Sequence, residues 1–190
     1  WIRRNGPQTA GAGLIHTRAN GEDAGLLIGP DAELRYVWAG DSATTAWASG
    51  LTLPVGQWVF VALVVSDNKA VIHMYDGTTF KKAVHKYSHS AQTFSGMTHL
   101  GWNSADDTLR FSGDMADVRV YGRVLGPSAI QDLVLLGGRA EAPDPRDGGS
   151  AGAPLLRWTS GVGTFAHHVY LGTDYDAVRQ ADQTAPEYKG

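Results

Sequence analysis

Residues 58–65, WVFVALVV, form an unbroken apolar run of eight, and that run limits the folds open to this chain. It is too short to cross a membrane, and too rich in β-branched and aromatic residues for an ordinary helix. As a strand it puts Trp58, Phe60, Ala62 and Val64 on one face and Val59, Val61, Leu63 and Val65 on the other. Both faces are apolar, which predicts a central strand covered on both sides. Trp58 is then expected in the core, where truncation to alanine costs about 3–5 kcal/mol. Ser66-Asp67-Asn68-Lys69 reads as a turn, and Ala70, Ile72 and Met74 then alternate with Val71, His73 and Tyr75. Asp76-Gly77 ends this second strand, so the centre of the chain is a β-hairpin.

Short strand patterns flank the hairpin. Before it, residues 1–4, 14–18, 25–28 and 33–38 read as strands, with a hairpin turn at Asn20-Gly21 and another turn at Gly29-Pro30-Asp31. Residues 41–55 read as a loop that contains Trp47. After the hairpin, residues 80–87 form a charged outer strand, and residues 97–102 and 115–121 form two more. Pro127-Ser128 opens a short amphipathic helix over residues 129–136, closed by Gly137-Gly138. This spacing predicts an all-β sandwich or barrel. Residues 139–154 are rich in Gly, Pro, Ala and Asp and read as a linker. Residues 155–190, with strands at 155–158 and 168–171 and a helical turn at 175–181, are too few to bury a core alone and read as the beginning of a second β domain. The chain opens on Trp1-Ile2-Arg3-Arg4, which looks like the middle of a strand, and is expected to be a piece of a longer polypeptide. On that expectation residues 115–121 have an unpaired edge or an uncovered apolar face.

Charge and composition exclude several functions. Sixteen basic residues against nineteen acidic ones leave no surplus for nucleic acid or anionic lipid. No apolar run reaches membrane length, so no membrane insertion is expected. With no cysteine, disulfide and thiol chemistry are excluded. His85-x3-His89 would align two metal ligands on a helix, but its surroundings read as strand and loop. His167 and His168 point to opposite faces of a strand, and His73 falls on one face of the hairpin with Val71 and Tyr75. Ser95 and Ser160 lack the Gly-x-Ser-x-Gly elbow, and Gly161-x-Gly163 precedes a strand rather than a helix.

The six tryptophans remain. Trp1, Trp38 and Trp158 lie in apolar strands and are expected in the core with Trp58, whereas Trp47 and Trp102 lie in or beside loops. Trp102 is followed by Asn103, Ser104, Ala105, Asp106 and Asp107. An exposed indole beside such groups suits the apolar face of a sugar ring, with the amide and acids free for hydroxyls. Trp102, Asn103, Asp106 and Asp107 are therefore the candidate ligand-binding residues. The competing reading, which is the commoner outcome for surface aromatics, packs Trp102 against Tyr121 or another rim residue.

The hairpin sequence, then Phe111-Ser112-Gly113, then MADVRVYGRVLGPSAIQDL at residues 115–133, resembles the laminin-G-like, concanavalin-A-like jelly-roll family. The resemblance covers about residues 1–138. It implies an antiparallel jelly-roll β-sandwich with one short C-terminal helix. It also implies a non-catalytic recognition or adhesion module of a large exported bacterial protein, located outside the cell or on its surface. Carbohydrate or cell-surface glycan is the implied partner. The alternatives are an accessory module of a secreted polysaccharide-degrading or sulfatase-like enzyme, and a spacer with no ligand. The tail, with LLRW and HHVYLGTD, is similar to the opening of a fibronectin-III-like sandwich. Related sandwiches can carry a calcium ligand where this chain has Ala116, with Asp117 as its neighbour, so no metal or other cofactor is carried over. Related hydrolases place Glu-x-Asp-x-x-Glu on one strand, and none of Glu22, Glu33, Glu141 and Glu187 has that spacing. No catalytic residue is assigned.

Overall fold

A computed structural model describes residues 1–19, 22–92, 96–137, 141–144, 157–159 and 169–189. The chain divides into two compact units, Trp1–Leu135 and Leu136–Gly190. The first is an antiparallel β-sandwich of jelly-roll type. One sheet has the order β4-β3-β2-β8, from β2 (Gly13–Ala19), β3 (Glu22–Ile28), β4 (Leu34–Val37) and β8 (Met97–Leu100). The other contains β5 (Phe60–Ser66), β6 (Lys69–Tyr75) and β7 (Phe80–His85) in sequence order. It is extended by β1 (Ile2–Arg4), which pairs with β9 (Gly113–Met115) on one side. On its other side Ile2 exchanges two backbone hydrogen bonds with Val59, at 2.9 and 2.8 Å, and so joins β1 to the entrance of β5.

The apolar alternation sets which face is buried. In the β5-β6-β7 register, Leu63, Ile72 and Ala83 are paired, as are Val61, Met74 and Lys81, and Val65, Ala70 and His85. These rows face the core, where Ile72, Ala70 and Met74 join Leu14, Leu26, Ile28, Leu34, Tyr36, Leu53 and Val59. The most buried strand of the hairpin is therefore β6 and not β5, which is apolar from Phe60 to Val65 but mostly only half-buried. β6 is paired with β5 over its whole length and with β7 from Ala70 to Tyr75, and its apolar face meets the opposite sheet. Trp58 is likewise not in the core. Its ring is half-buried, with the Arg3 guanidinium 5.2 Å from its centroid. Trp1 is buried edge-on against Phe60, Trp38 and Trp47 are partly buried against the core, and the Trp158 side chain lies outside the described residues.

Backbone geometry explains two local features. β2 has a register shift between Gly13 and Ile15. Next to it, Gly25, the partner of His16, has φ +154°, and a Cβ there would lie 2.0 Å from the Ile15 carbonyl oxygen, so no side chain is accommodated. Asp76, at the end of β6, accepts from the amides of Thr78 and Thr79 at 3.1 and 2.8 Å and from Lys81 Nζ at 3.0 Å. These bonds, led by that from Thr79, hold its carboxyl well below the usual carboxylate range.

Two elements differ from the sequence reading. The expected strand at residues 115–121 stops at Met115. Its ladder with β1 ends where Trp1 and Ala116 exchange hydrogen bonds of 2.8 and 2.9 Å, and Asp117 then adopts φ 51°, which breaks the extended run. Beyond it Val118, Val120, Tyr121 and Val124 are exposed. The loop before the hairpin contains a short helix, α1 (Ser42–Ala46), whose cap Asp41 accepts from the Ala43 amide at 2.8 Å. The C-terminal helix α2 (Pro127–Gly137) begins at the expected proline and buries Ile130 and Val134.

In the second unit, β10 (Glu141–Asp144) lies within the Gly- and Pro-rich stretch and pairs with β11 (Arg157–Thr159). Tyr170 forms an isolated bridge to Tyr188, and α3 (Tyr175–Gln180) is capped by Asp174, which accepts from the Ala177 amide. The turn at Asn20-Gly21, Ser95, Ser160, Gly161, Gly163, His167 and His168 lie outside the described residues.

Candidate functional site

The loop after β8 is built by its own hydrogen bonds. Gly101 has φ 71°, and its amide bonds to the Leu14 carbonyl at 2.9 Å. Trp102 then bridges Arg110, so residues 103–109 form a closed turn. Asn103 is buried beneath it, where its side-chain amide donates to the Gly11 carbonyl at 3.0 Å and its Oδ1 accepts from the Ala105 amide at 3.1 Å. Asp106 Oδ1 accepts from the Thr108 amide and hydroxyl at 2.8 and 2.7 Å. The hydroxyl and then the amide of Thr108 hold the Asp106 carboxyl below its ordinary range. Asp107 projects outward, with its side chain 86% exposed.

The indole of Trp102 is held on several sides. Its Nε1 donates to the Asp106 carbonyl at 3.1 Å. The Arg110 guanidinium lies 4.5 Å from the ring centroid, and His99 meets the ring edge-on at 4.6 Å. Arg110 also donates to the carbonyl and carboxylate of Asp107 at 3.1 and 3.2 Å. Trp102, Asn103, Asp106 and Asp107 are thus brought into one loop. Asn103 is spent on holding that loop, and the outward groups are Asp107, Arg110 and the guanidinium-covered indole.

Sequence reasoning missed Arg110, His99 and Gly13. Arg110 stands eight positions from Trp102, and only a closed turn brings the two together. Gly13 lies against the loop backbone, where a Cβ would be 2.5 Å from the Trp102 carbonyl carbon and oxygen.

A second cluster lies where β4 faces the end of β7. The Tyr36 hydroxyl is 2.7 Å from His85 Nδ1 and 2.8 Å from His89 Nε2. His89 Nδ1 is 3.1 Å from the Ser66 carbonyl. The His85 ring is stacked on Trp47 at 4.9 Å and on Tyr87 at 5.2 Å, and the Tyr87 hydroxyl donates to Asp41 at 2.7 Å. Burial raises the Tyr36 pKa to about 12, whereas burial and then the neighbouring His89 lower that of His85. The His85-x3-His89 spacing singles out two of these rings but gives no sign of Tyr36, which comes from the opposite sheet.

The remaining surface offers less chemistry. A groove lined by Trp1, Ile2, Ile15, Leu26, Val61 and Met115 is apolar, with the Asp117–Arg119 ion pair at its rim. Among the described residues no three His, Asp or Glu side chains gather where they could hold a metal ion. Glu33 accepts from Arg35 and from the Gly50 amide, at 2.9 and 2.6 Å. No described helix is long and apolar enough to cross a membrane.

Residues 1–131 match the laminin-G-type family model of the concanavalin A-like lectin/glucanases superfamily. The match covers more than half of the 190 residues, and the chain belongs to that family. No curated protein and no solved structure shows significant similarity to the chain.

Proposed function

We propose that the sandwich is a non-catalytic recognition module of a large exported protein, acting outside the cell or at its surface on carbohydrate or glycan-bearing material. The observation that carries this reading is the loop of Trp102, Asn103, Asp106 and Asp107, held rigid by its own hydrogen bonds on a sandwich of lectin type. A preorganised loop loses little entropy when it binds. Arg110 gives the site its mechanism. A sugar ring that stacks on the indole displaces the guanidinium, and the Asp107 carboxylate that Arg110 leaves becomes an acceptor for sugar hydroxyls.

Glycan-array binding and thermal melts of Trp102→Ala test the reading. The expected result is lost binding with a nearly unchanged melt, because the ring lies on a loop and outside the core cluster. Lost binding together with a melt lowered as far as for a core truncation would make Trp102 structural. Absence of any glycan signal from the unaltered protein would favour the spacer reading.

The same reading takes residues 1–138 as a separable unit, followed by a linker over 139–154 and the start of a fibronectin-III-like domain over 155–190. Limited proteolysis is expected to leave a stable N-terminal piece ending near residue 138. First cuts inside β5 or β6 would overturn this division.

A further inference from the structure

We propose that Tyr36, His85 and His89 form a one-proton latch across the sandwich, which holds residues 86–89 against β4 until a second proton enters the cluster and opens it. The Ser66 carbonyl can only accept, so His89 Nδ1, 3.1 Å away, carries a hydrogen. In neutral His89 the Nε2 atom is then bare and accepts the Tyr36 O–H at 2.8 Å. The Tyr36 oxygen in turn accepts from His85 Nδ1–H at 2.7 Å. Every group is satisfied, with the bonds running in one direction from His85 through Tyr36 to His89 and Ser66.

One added proton leaves the latch closed in either of two ways. Placed on His85 Nε2, it leaves all three bonds as they are. Placed on His89 Nε2, it reverses the chain. His89 then donates to Tyr36, the Tyr36 O–H turns to His85 Nδ1, and His85 gives up its Nδ1 hydrogen to solvent and takes one at Nε2. Burial opposes a charge on His85, and two features offset it. His85 is sandwiched between the faces of Trp47 and Tyr87, which favour a cation, and Asp41 lies beside the cluster with its carboxylate on the Tyr87 hydroxyl.

A second proton cannot be accommodated. Both imidazoles then donate to one oxygen, and the Tyr36 hydroxyl hydrogen, in a fully buried residue, has no acceptor. Two cations also flank a single hydroxyl. Tyr36 cannot relieve this by ionising, because burial holds its proton on. The remaining charged groups around the cluster do not offset two charges. Arg35, next in sequence to Tyr36, is bound to Glu33 and the Thr45 carbonyl. Lys81, on the His85 face of β7, is bound to Asp76. Asp67 meets His89 through its backbone carbonyl, and Lys69 and Lys86 are exposed. Asp41, bound at the cluster through Tyr87, supplies one negative charge and balances one imidazolium.

The test follows the imidazole nitrogens of the unaltered protein by NMR from pH 8 to pH 4, together with hydrogen exchange of the His89 amide, which bonds to the Asp67 carbonyl. The expected result is two separated protonation steps. Protection of the His89 amide, corrected for the intrinsic effect of pH, is retained through the first step and falls at least tenfold in the second. In His89→Gln, which leaves one titrating ring, the second step and its loss of protection are expected to vanish. A single joint step in the unaltered protein would overturn the latch. So would protection that survives double protonation, or an acid opening that persists in His89→Gln.

Discussion

Ile72→Ala is expected to lower the unfolding free energy by about 2–5 kcal/mol, the range for removing a large aliphatic side chain from a core that cannot collapse around the gap. Ile72 is fully buried on β6, paired with Leu63 on one side and Ala83 on the other, and faces the opposite sheet. Rigid sheets on both sides leave the cavity open. Urea unfolding is the measurement, with a lowered midpoint and an unchanged slope expected. Trp58→Ala is expected to cost less, despite the larger side chain. Its ring is half-buried beneath Arg3, so water fills the space and the Arg3 contact is the main loss. A Trp58→Ala variant less stable than Ile72→Ala would overturn this ordering.

The second large effect is acid sensitivity. His16 is 0% exposed, with neither ring nitrogen hydrogen-bonded, and its nearest carboxylate oxygen, on Asp23, is 3.9 Å away and already paired with Arg18. Burial lowers its pKa from the ordinary 6.5, and the attraction of Asp23 only partly offsets this. Burial lowers that of His73 in the same way, with Lys82 adding to the effect. The folded state keeps these rings neutral at a pH where the unfolded chain protonates them. Their contribution is therefore fully present above pH 6.5 and is lost as the pH falls below it. Each such ring removes about 1.4 kcal/mol per pH unit while it is neutral when folded and charged when unfolded. Chemical denaturation at pH 7.5 and pH 5 is expected to show the loss. His16→Leu is expected to raise stability at both values, by about 1–3 kcal/mol at the higher one, because it removes two unpartnered polar atoms from the interior. It is also expected to flatten the acid limb. A destabilised His16→Leu with an unaltered pH slope would show that the ring has a partner.

The parts of this fold legible in the sequence are those decided locally. The β5-β6 hairpin follows from alternation on either side of Asp67-Asn68, and α2 from Pro127 at its start and glycine at its end. The end of β9 was not legible, because a strand lasts only as long as its neighbour. That neighbour, β1, is more than a hundred residues away in sequence. Helix α1 is a single turn nucleated by one Asp41 cap, too short to leave a periodic pattern. At the candidate site, the grouping of Trp102 with Asp106 and Asp107 was legible because the residues are adjacent. The burial of Asn103 and the placement of Arg110 over the indole were not, since both depend on how the loop closes. Tyr36, His85 and His89 were invisible as a set, because each strand records which face a residue takes but not what the opposite sheet presents to it.

The splice at Ile2 has a mechanical consequence. β1 and β9 are antiparallel, and the start of β1 at Trp1 lies beside the end of β9 at Ala116. Tension carried by the backbone into Trp1 and out through Ala116 therefore pulls the two strands apart from one end. The hydrogen bonds are loaded one after another instead of sharing the load as in shear. On the other flank the paired bonds of Ile2 and Val59 tie this end of β1 to the rest of its sheet, and the Gly56 amide holds Arg4 at the other end. A chain stretched along this path would open here first, by unzipping three residues of β1, while the Ile72 core and the Trp102 loop stayed folded.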